Sequence, residues 1–239
     1  MLRPVNNRNL PLLHSDADNL NMTTCWRLRA VIVGSFLFSL SAIAQSPPNE
    51  KSDASVTEAE YEVFSAFISQ SFVGSAGEDR IGKSVSQIVI ENHTQSDKQD
   101  LDDFLDPDDP PPGGSVEKYL RKEAPSLRAV TVSNYHRANE KQAELSPRFH
   151  LPLKCQLVSA EKIGAIVKGP GDVGEFYKQY PGAQGHMWLS RVGFSSDGKQ
   201  ALFYVGNWCG GKCGTGSYVV MEKQGATWRI AKEVFIWMS

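Results

Sequence analysis

A run of β-rich segments joined by turn residues fills the last third of the chain, residues 181–239: PGAQGHMWLSRVGFSSDGKQALFYVGNWCGGKCGTGSYVVMEKQGATWRIAKEVFIWMS. Apolar and aromatic residues concentrate in four stretches, which cover residues 188–194, 201–205, 218–221 and 228–238. Turn residues such as Ser195-Ser196-Asp197-Gly198 and Gln224-Gly225-Ala226 separate neighbouring stretches. Consecutive strands with short connections predict an antiparallel β-meander of about four strands.

Helical patterns precede this meander. Thr57 and Glu60 have the spacing of a capping box, and large apolar residues then recur at helical spacing, which predicts a helix from about Glu58 to Phe72. Residues 87–90 predict a short strand, a second helix is expected after Pro125, and a further strand and short helix are expected between Leu153 and Gly169.

Several of the predicted C-terminal strands are apolar on both sides. Strict alternation in the last strand would place Val234, Ile236 and Met238 on one face and Phe235 and Trp237 on the other. We expect helices to cover one face of the sheet. The sequence therefore predicts a single α+β domain over residues 58–239, with N-terminal helices packed on a C-terminal sheet.

The beginning of the chain has the pattern of a secretory signal peptide. Arg27 and Arg29 precede an apolar core at residues 30–40, and Ala42-Ile43-Ala44 has the small-x-small pattern of a cleavage site. The core is shorter than the roughly 20 apolar residues that span a bilayer. We expect cleavage near Ala44, a flexible mature N-terminus at residues 45–57, no membrane span in the mature chain, and a periplasmic or secreted location.

Charge limits the classes of partner. Removing residues 1–44 takes away four arginines and two aspartates, which changes the formal net charge from −2 to −4. A net negative chain is a poor partner for a phosphate backbone, so nucleic acid is not expected. Residues 97–114 hold seven aspartates followed by three prolines and two glycines, which predicts an exposed acidic loop.

The cysteines point to a structural role. Cys209 and Cys213 are separated by three residues in a glycine-rich segment, and an exported chain meets an oxidising compartment, so we predict a disulfide between them. Cys155 would then remain as a small apolar residue in a strand. A redox-active pair is the alternative, although redox motifs separate their cysteines by two residues and stand at a helix N-terminus.

The five glycines from Gly206 to Gly216 predict a wide hairpin loop with positive φ angles at several positions. Trp208 and Lys212 would lie in this loop, where an exposed indole calls for a partner, a ligand or packing over the disulfide. They form the candidate binding loop.

Catalytic and metal-binding alternatives lack a defining motif. Cys209 or Cys213 with His186 has the residue types of a thiol-dependent enzyme, and the two cysteines with His150 and His186 have those of a zinc site. Ser190 lacks the surrounding glycines of a nucleophile elbow. No cofactor is predicted.

A set of short motifs in the C-terminal third resembles the signature of a family of uncharacterised secreted bacterial proteins. The motifs are Tyr180-Pro181-Gly182, Leu189-Ser190-Arg191-Val192-Gly193-Phe194, residues 201–205, Cys209-Gly210-Gly211, Gly214-Thr215-Gly216, Trp228 and Trp237-Met238-Ser239, with weaker similarity at Ile88 to Thr94. This resemblance implies an exported bacterial domain. It assigns no activity and supplies no catalytic residues.

The sequence favours a non-enzymatic binding or accessory domain for an unidentified protein or small ligand. The alternative is a thiol-dependent enzyme, redox or hydrolytic, that uses Cys209 or Cys213.

Overall fold

Five helices and seven strands make up the part of the chain that the computed structural model describes, residues 55–73, 84–96, 116–168, 173–211 and 213–238. The helices are α1 (Glu58–Phe72), α2 (Val116–Glu123), α3 (Ala129–Ala138), α4 (Ala160–Ile166) and α5 (Val173–Gln179). The strands are β1 (Gln87–Glu91), β2 (Lys154–Val158), β3 (His186–Leu189), β4 (Gly193–Phe194), β5 (Gln200–Trp208), β6 (Thr215–Gln224) and β7 (Thr227–Met238). The predicted signal peptide and acidic loop lie outside the described residues.

Helix α1 confirms the boundaries predicted from its capping pattern. The Thr57 hydroxyl accepts a hydrogen bond from the Glu60 backbone N–H, and a Glu60 carboxylate oxygen accepts from the Thr57 N–H at 2.8 Å. Tyr61, Phe64 and Phe67 share the buried side of the helix. Reciprocal capping at the start and one apolar face therefore fix this helix locally.

The strands form one mixed sheet in the order β2-β1-β3-β5-β6-β7, with β4 paired to β5. Strand β1 runs parallel to β2 and β3, whereas the pairs among β3, β5, β6 and β7 are antiparallel. The α+β class agrees with the sequence, but a four-stranded meander is not confirmed. The predicted first strand is divided into β3 and β4, because the Arg191 side chain donates to Glu60 and its backbone N–H donates to Asn139 Oδ1.

Helices cover both faces of the sheet instead of the single face expected. On one face, the Phe203 ring packs between Phe64 and Phe67 of α1, at centroid distances of 5.5 and 5.3 Å. The opposite face buries Leu202 and Tyr204 in a cluster that includes residues of α2 and α3. Further along that face, α4 and α5 contribute to a separate cluster. The side chains of β5 are apolar on both faces of the sheet, so each face must be covered by other elements.

Strand β7 departs from the alternation that its sequence indicates. Two irregularities shift its register against β6, opposite Gly216/Ser217 and Val220/Met221. Val234, Ile236 and Trp237 consequently pack against one cluster, although strict alternation separates Trp237 from the other two. A β-bulge adds a residue to one strand and so changes which side chains share a face.

Two strand glycines provide room for two tryptophans. Gly206 and Gly216 are register partners in β5 and β6, and a Cβ atom on either would lie 2.0 Å from the indole of Trp188 or Trp237, respectively. The two indoles stack at 6.1 Å with their planes 15° apart. Among the described glycines from 206 to 216, only Gly210 has a positive φ. The predicted reason for the glycines, a wide loop, is therefore wrong for these two.

None of the described helices is both long and apolar enough to cross a membrane.

Candidate functional site

A polar cleft lies where strands β1 and β2 end and helix α4 begins. Glu91 is the last residue of β1 and pairs in register with Val158, the last residue of β2. Ser159 caps α4 immediately afterwards, so the parallel pairing brings the helix start beside Glu91. Crevices at the carboxyl ends of parallel strands are frequent ligand sites.

The cleft has a volume of about 620 Å³ and is called the Glu91 cleft below. Its ionisable lining residues are Glu91, His93, Glu161 and His186, and Trp188 contributes an aromatic wall. The described lining residues include amides from Asn92, Gln95 and Gln142 and no lysine or arginine. The cleft is therefore polar, with carboxylates as its charged groups.

Glu91 and His186 face each other without a good hydrogen bond. His186 Nε2 lies 3.4 Å from Glu91 Oε1, and the two side chains are 8 % and 14 % exposed. The second carboxyl oxygen, Oε2, accepts a hydrogen bond from Gln95 Nε2 at 2.6 Å. His186 Nε2 has no hydrogen-bond partner among the described residues. A charge-assisted bond would be about 2.7–2.9 Å long, so this contact is not a closed ion pair.

Burial moves the two pKa values in opposite directions. Desolvation raises the pKa of Glu91 to about 7; the Gln95 hydrogen bond opposes this shift and the negative charge of Glu161 adds to it. Desolvation also lowers the pKa of His186 to about 4. Removing each group from water disfavours its charged form. Near neutral pH the imidazole is thus uncharged, while the carboxyl is poised between its two protonation states.

The aromatic wall of the cleft is held rigidly. The Trp188 ring stacks on Trp237, and Trp237 Nε1 donates a hydrogen bond to the Tyr204 hydroxyl at 2.8 Å. The His186 ring lies 5.7 Å from that of Trp188. The glycine at position 206 lets Trp188 lie flat on the sheet. These contacts hold Trp188 at a fixed position beside the cleft.

The predicted cysteine pair is brought together at a different place. Cys209 and Cys213 lie at disulfide distance, with Cα atoms 5.2 Å apart. The Tyr177 hydroxyl donates to the Cys209 carbonyl oxygen at 3.2 Å. Cys155 is half-buried in β2, and burial raises the pKa of its thiol to about 11. The closed pair and the desolvated thiol leave no described cysteine as a thiolate at neutral pH.

The candidate binding loop is only partly described. Trp208 is the last residue of β5, and its half-buried indole packs edge-on against Phe176 at 5.9 Å. Its expected position in an exposed loop is therefore wrong, since α5 covers it. Lys212 lies outside the described residues.

The histidines do not assemble the zinc site considered from sequence. His150 pairs with Glu58 at the surface at 3.0 Å, whereas His186 faces Glu91. The described residues contain no group of three or more histidine, cysteine or acidic side chains arranged to hold a metal ion. Ser190 has a structural role in the sheet, because its hydroxyl accepts a hydrogen bond from the Tyr204 N–H at 2.7 Å.

Sequence reasoning identified His186 and missed Glu91. The available signal was an acidic residue that ends an otherwise buried strand, but its partner lies 95 positions further along the chain. Comparison with models of known protein families, with curated proteins and with solved structures finds no match. The resemblance to secreted bacterial proteins therefore stays a prediction.

Proposed function

We propose that this protein is an exported, non-enzymatic binding domain and that the Glu91 cleft is its ligand site. One observation carries the proposal: His186 lines the cleft, and its buried Nε2 has no hydrogen-bond partner among the described residues. An unsatisfied buried polar group costs about 1–3 kcal/mol, and a ligand that supplies the missing bond would recover that free energy.

The dimensions and walls of the cleft support the same function. Its volume of about 620 Å³ falls within the range of about 300–1,000 Å³ typical of small-molecule sites. Amide side chains offer both donors and acceptors for orientation. The stacked tryptophans provide a surface that does not have to be ordered on binding, which reduces the entropic cost.

Export is part of the proposal and has two supports. The predicted signal peptide ends near Ala44, and Cys209 and Cys213 stand at disulfide distance. Disulfides persist in the periplasm and outside the cell. A fusion of residues 1–50 to a reporter that is active only after export tests it: we expect activity that is lost when Arg27, Arg29 and the apolar core are altered.

A fragment screen by thermal shift tests the ligand site, with wild type, His186→Asn and His150→Asn in parallel. Ligands of the Glu91 cleft should raise the melting temperature of wild type and of His150→Asn, and lose most of that shift in His186→Asn. His150 is a fair control because it also faces a glutamate, but at the surface. Equal shifts of the melting temperature in all three proteins would show that the ligand binds outside the Glu91 cleft.

The thiol-dependent enzyme remains the second hypothesis from sequence, and the cysteine geometry gives it no support. Alkylation of native protein with iodoacetamide, followed by peptide mapping, separates the two. We expect Cys209 and Cys213 to stay protected until a reductant is added. Rapid labelling of either cysteine without reductant would favour the thiol hypothesis.

A further inference from the structure

The charged groups of the Glu91 cleft all favour one kind of ligand. Its described lining contains two glutamates, two histidines, three amides and no lysine or arginine. Glu161 is close enough to Glu91 for its charge to oppose ionisation of that carboxyl. A cleft with two carboxylates and no cationic side chain attracts positive charge.

We propose that the Glu91 cleft binds a small organic cation, an amine or a guanidinium, whose N–H groups donate to Glu91 and to the unpartnered Nε2 of His186. This inference rests on the proposed function and specifies its ligand. The carboxylates would provide the charge, and the orphan nitrogen would provide a neutral acceptor when the imidazole proton is on Nδ1.

The surroundings favour an organic cation over a metal ion. The described residues hold no cluster of three or more metal-ligating groups. Trp188 lines the same cleft, and an ammonium or guanidinium near an indole gains a cation–π attraction of about 0.5–2 kcal/mol. Gln95 holds Glu91 Oε2 at 2.6 Å, which leaves Oε1, the oxygen that faces His186, to accept from a ligand.

Binding of a cation should be linked to pH. The ionisable groups around Glu91 are His93 beyond the end of β1, Glu161 on α4 and His186 on β3. The pKa of Glu91 is about 7, so at pH 6 a cation must displace the carboxyl proton, which passes to the buffer. Affinity should therefore rise about ten-fold between pH 6 and pH 8, because the ionised fraction of Glu91 rises by that factor.

The test is calorimetric titration of the full chain with three probes of one shape: benzylamine, benzyl alcohol and benzoate. We expect benzylamine to bind at least ten-fold more tightly than the other two. Glu91→Gln should weaken benzylamine at least ten-fold, whereas Glu58→Gln, which alters the exposed glutamate and histidine pair, should leave its affinity unchanged. At pH 6, heats measured in buffers of different ionisation enthalpy should reveal proton release.

The outcomes separate this inference from the proposed function. Binding of benzyl alcohol or benzoate that depends on His186 would contradict the proposal of a cationic ligand. It would still support the Glu91 cleft as the ligand site. Tight binding of Zn²⁺ or Ca²⁺ that requires Glu91, with no response to benzylamine, would replace the organic cation by a metal ion. If no probe binds here and the fragment screen yields no ligand that depends on His186, both proposals fail.

Discussion

Two glutamates in this chain, Glu60 and Glu91, have opposite surroundings. Glu60 in α1 is 2 % exposed and accepts hydrogen bonds from Thr57, from the Val192 N–H and from two nitrogens of Arg191 at 2.7 and 2.8 Å. Glu91 in β1 accepts one such bond, from Gln95, and faces a neutral imidazole at 3.4 Å. Glu60 is fully buried and paired through both oxygens, whereas Glu91 is partly exposed and, among the described residues, accepts a hydrogen bond only through Oε2.

The difference separates a structural network from a site. The Glu60 network joins the start of α1 to the link between β3 and β4, and all its members are paired within the protein. The Glu91 pair retains unused hydrogen-bonding capacity beside an open cleft, where a ligand can reach it. A buried polar group without a hydrogen-bond partner, on a residue that lines an open cleft, is a candidate contact for a ligand.

The largest expected effect comes from breaking the satisfied carboxyl. Glu60→Ala removes the carboxylate that pairs with the Arg191 guanidinium, which is 14 % exposed, and should lower the free energy of unfolding by about 3–5 kcal/mol. Urea denaturation at pH 7 measures it. Glu91→Gln is the matched variant and should lose about 1 kcal/mol or less, because glutamine cannot ionise and so avoids the cost of a desolvated carboxylate. Equal losses of unfolding free energy in the two variants would show that Glu60 and Glu91 do not differ in their structural role.

The aromatic wall should be nearly as sensitive. Gly206→Ala places a Cβ 2.0 Å from the Trp188 ring, so the indole must move, and we expect a loss of about 2–3 kcal/mol in urea denaturation together with altered tryptophan fluorescence. Gly164→Ala is the control, because nothing lies within 4 Å of its added Cβ and it belongs to α4. A helical alanine should raise stability by up to about 1 kcal/mol. If Gly206→Ala leaves the free energy of unfolding unchanged, the sheet does not fix the position of Trp188.

Single substitutions should expose opposite pH dependences of about 3 kcal/mol at the Glu91 site. In His186→Asn, Glu91 keeps a folded-state pKa near 7, above its ordinary value of 4.5, so stability should fall as pH rises from about 4.5 to 7. In Glu91→Gln, His186 keeps a folded-state pKa near 4, below its ordinary 6.5, so stability should fall as pH drops from about 6.5 to 4.

Wild type should show neither slope strongly. Between about pH 4.5 and 6.5 the folded pair holds one proton on Glu91, and the unfolded pair holds one on His186, so the two contributions to the pH dependence cancel. Urea denaturation at half-unit pH steps for the three proteins measures this. If stability depends on pH in the same way in both variants and in wild type, Glu91 and His186 are not a desolvated pair with opposite pKa shifts.

The smallest effect concerns the closed cysteine pair, which is not part of the described lining of the Glu91 cleft. A disulfide across so short a segment stabilises by about 2 kcal/mol or less through the unfolded state, so Cys209→Ser with Cys213→Ser should lose no more than that. The affinity of the Glu91 cleft for its ligand should stay unchanged, as titration of the double variant would show. Loss of binding would instead tie the cysteine loop to the site.

Local patterns predicted much of the fold. Helix α1 was predicted at Glu58 to Phe72 because its cap and its apolar spacing are contained in fifteen residues. The antiparallel strands β5, β6 and β7 follow from turns that join them directly. The parallel pairs of β1 were not predicted, since β2 and β3 lie far along the chain and no local signal specifies parallel neighbours.

The site was less accessible to sequence reasoning for a related reason. The sequence identifies His186 only by residue type, as a candidate partner for a cysteine or ligand of a zinc ion. Its actual partner, Glu91, is set by the position of β3 beside β1, and its pKa depends on burial that only the folded sheet and α4 create. Likewise, the sequence predicts a loop at Gly206 and Gly216, because no neighbouring residue indicates that two indoles lie over these glycines.

NMR titration of both side chains in the ligand-free protein tests whether Glu91 and His186 form a desolvated pair instead of a closed ion pair. Glu58, whose pKa is lowered chiefly by its hydrogen bond with His150 at the surface, is an internal reference. We expect Glu91 to titrate near pH 7 and His186 near pH 4, with Glu58 below its ordinary range. Titration of Glu91 below 4.5 and of His186 above 6.5 would show a closed ion pair that needs no ligand, and would contradict the account.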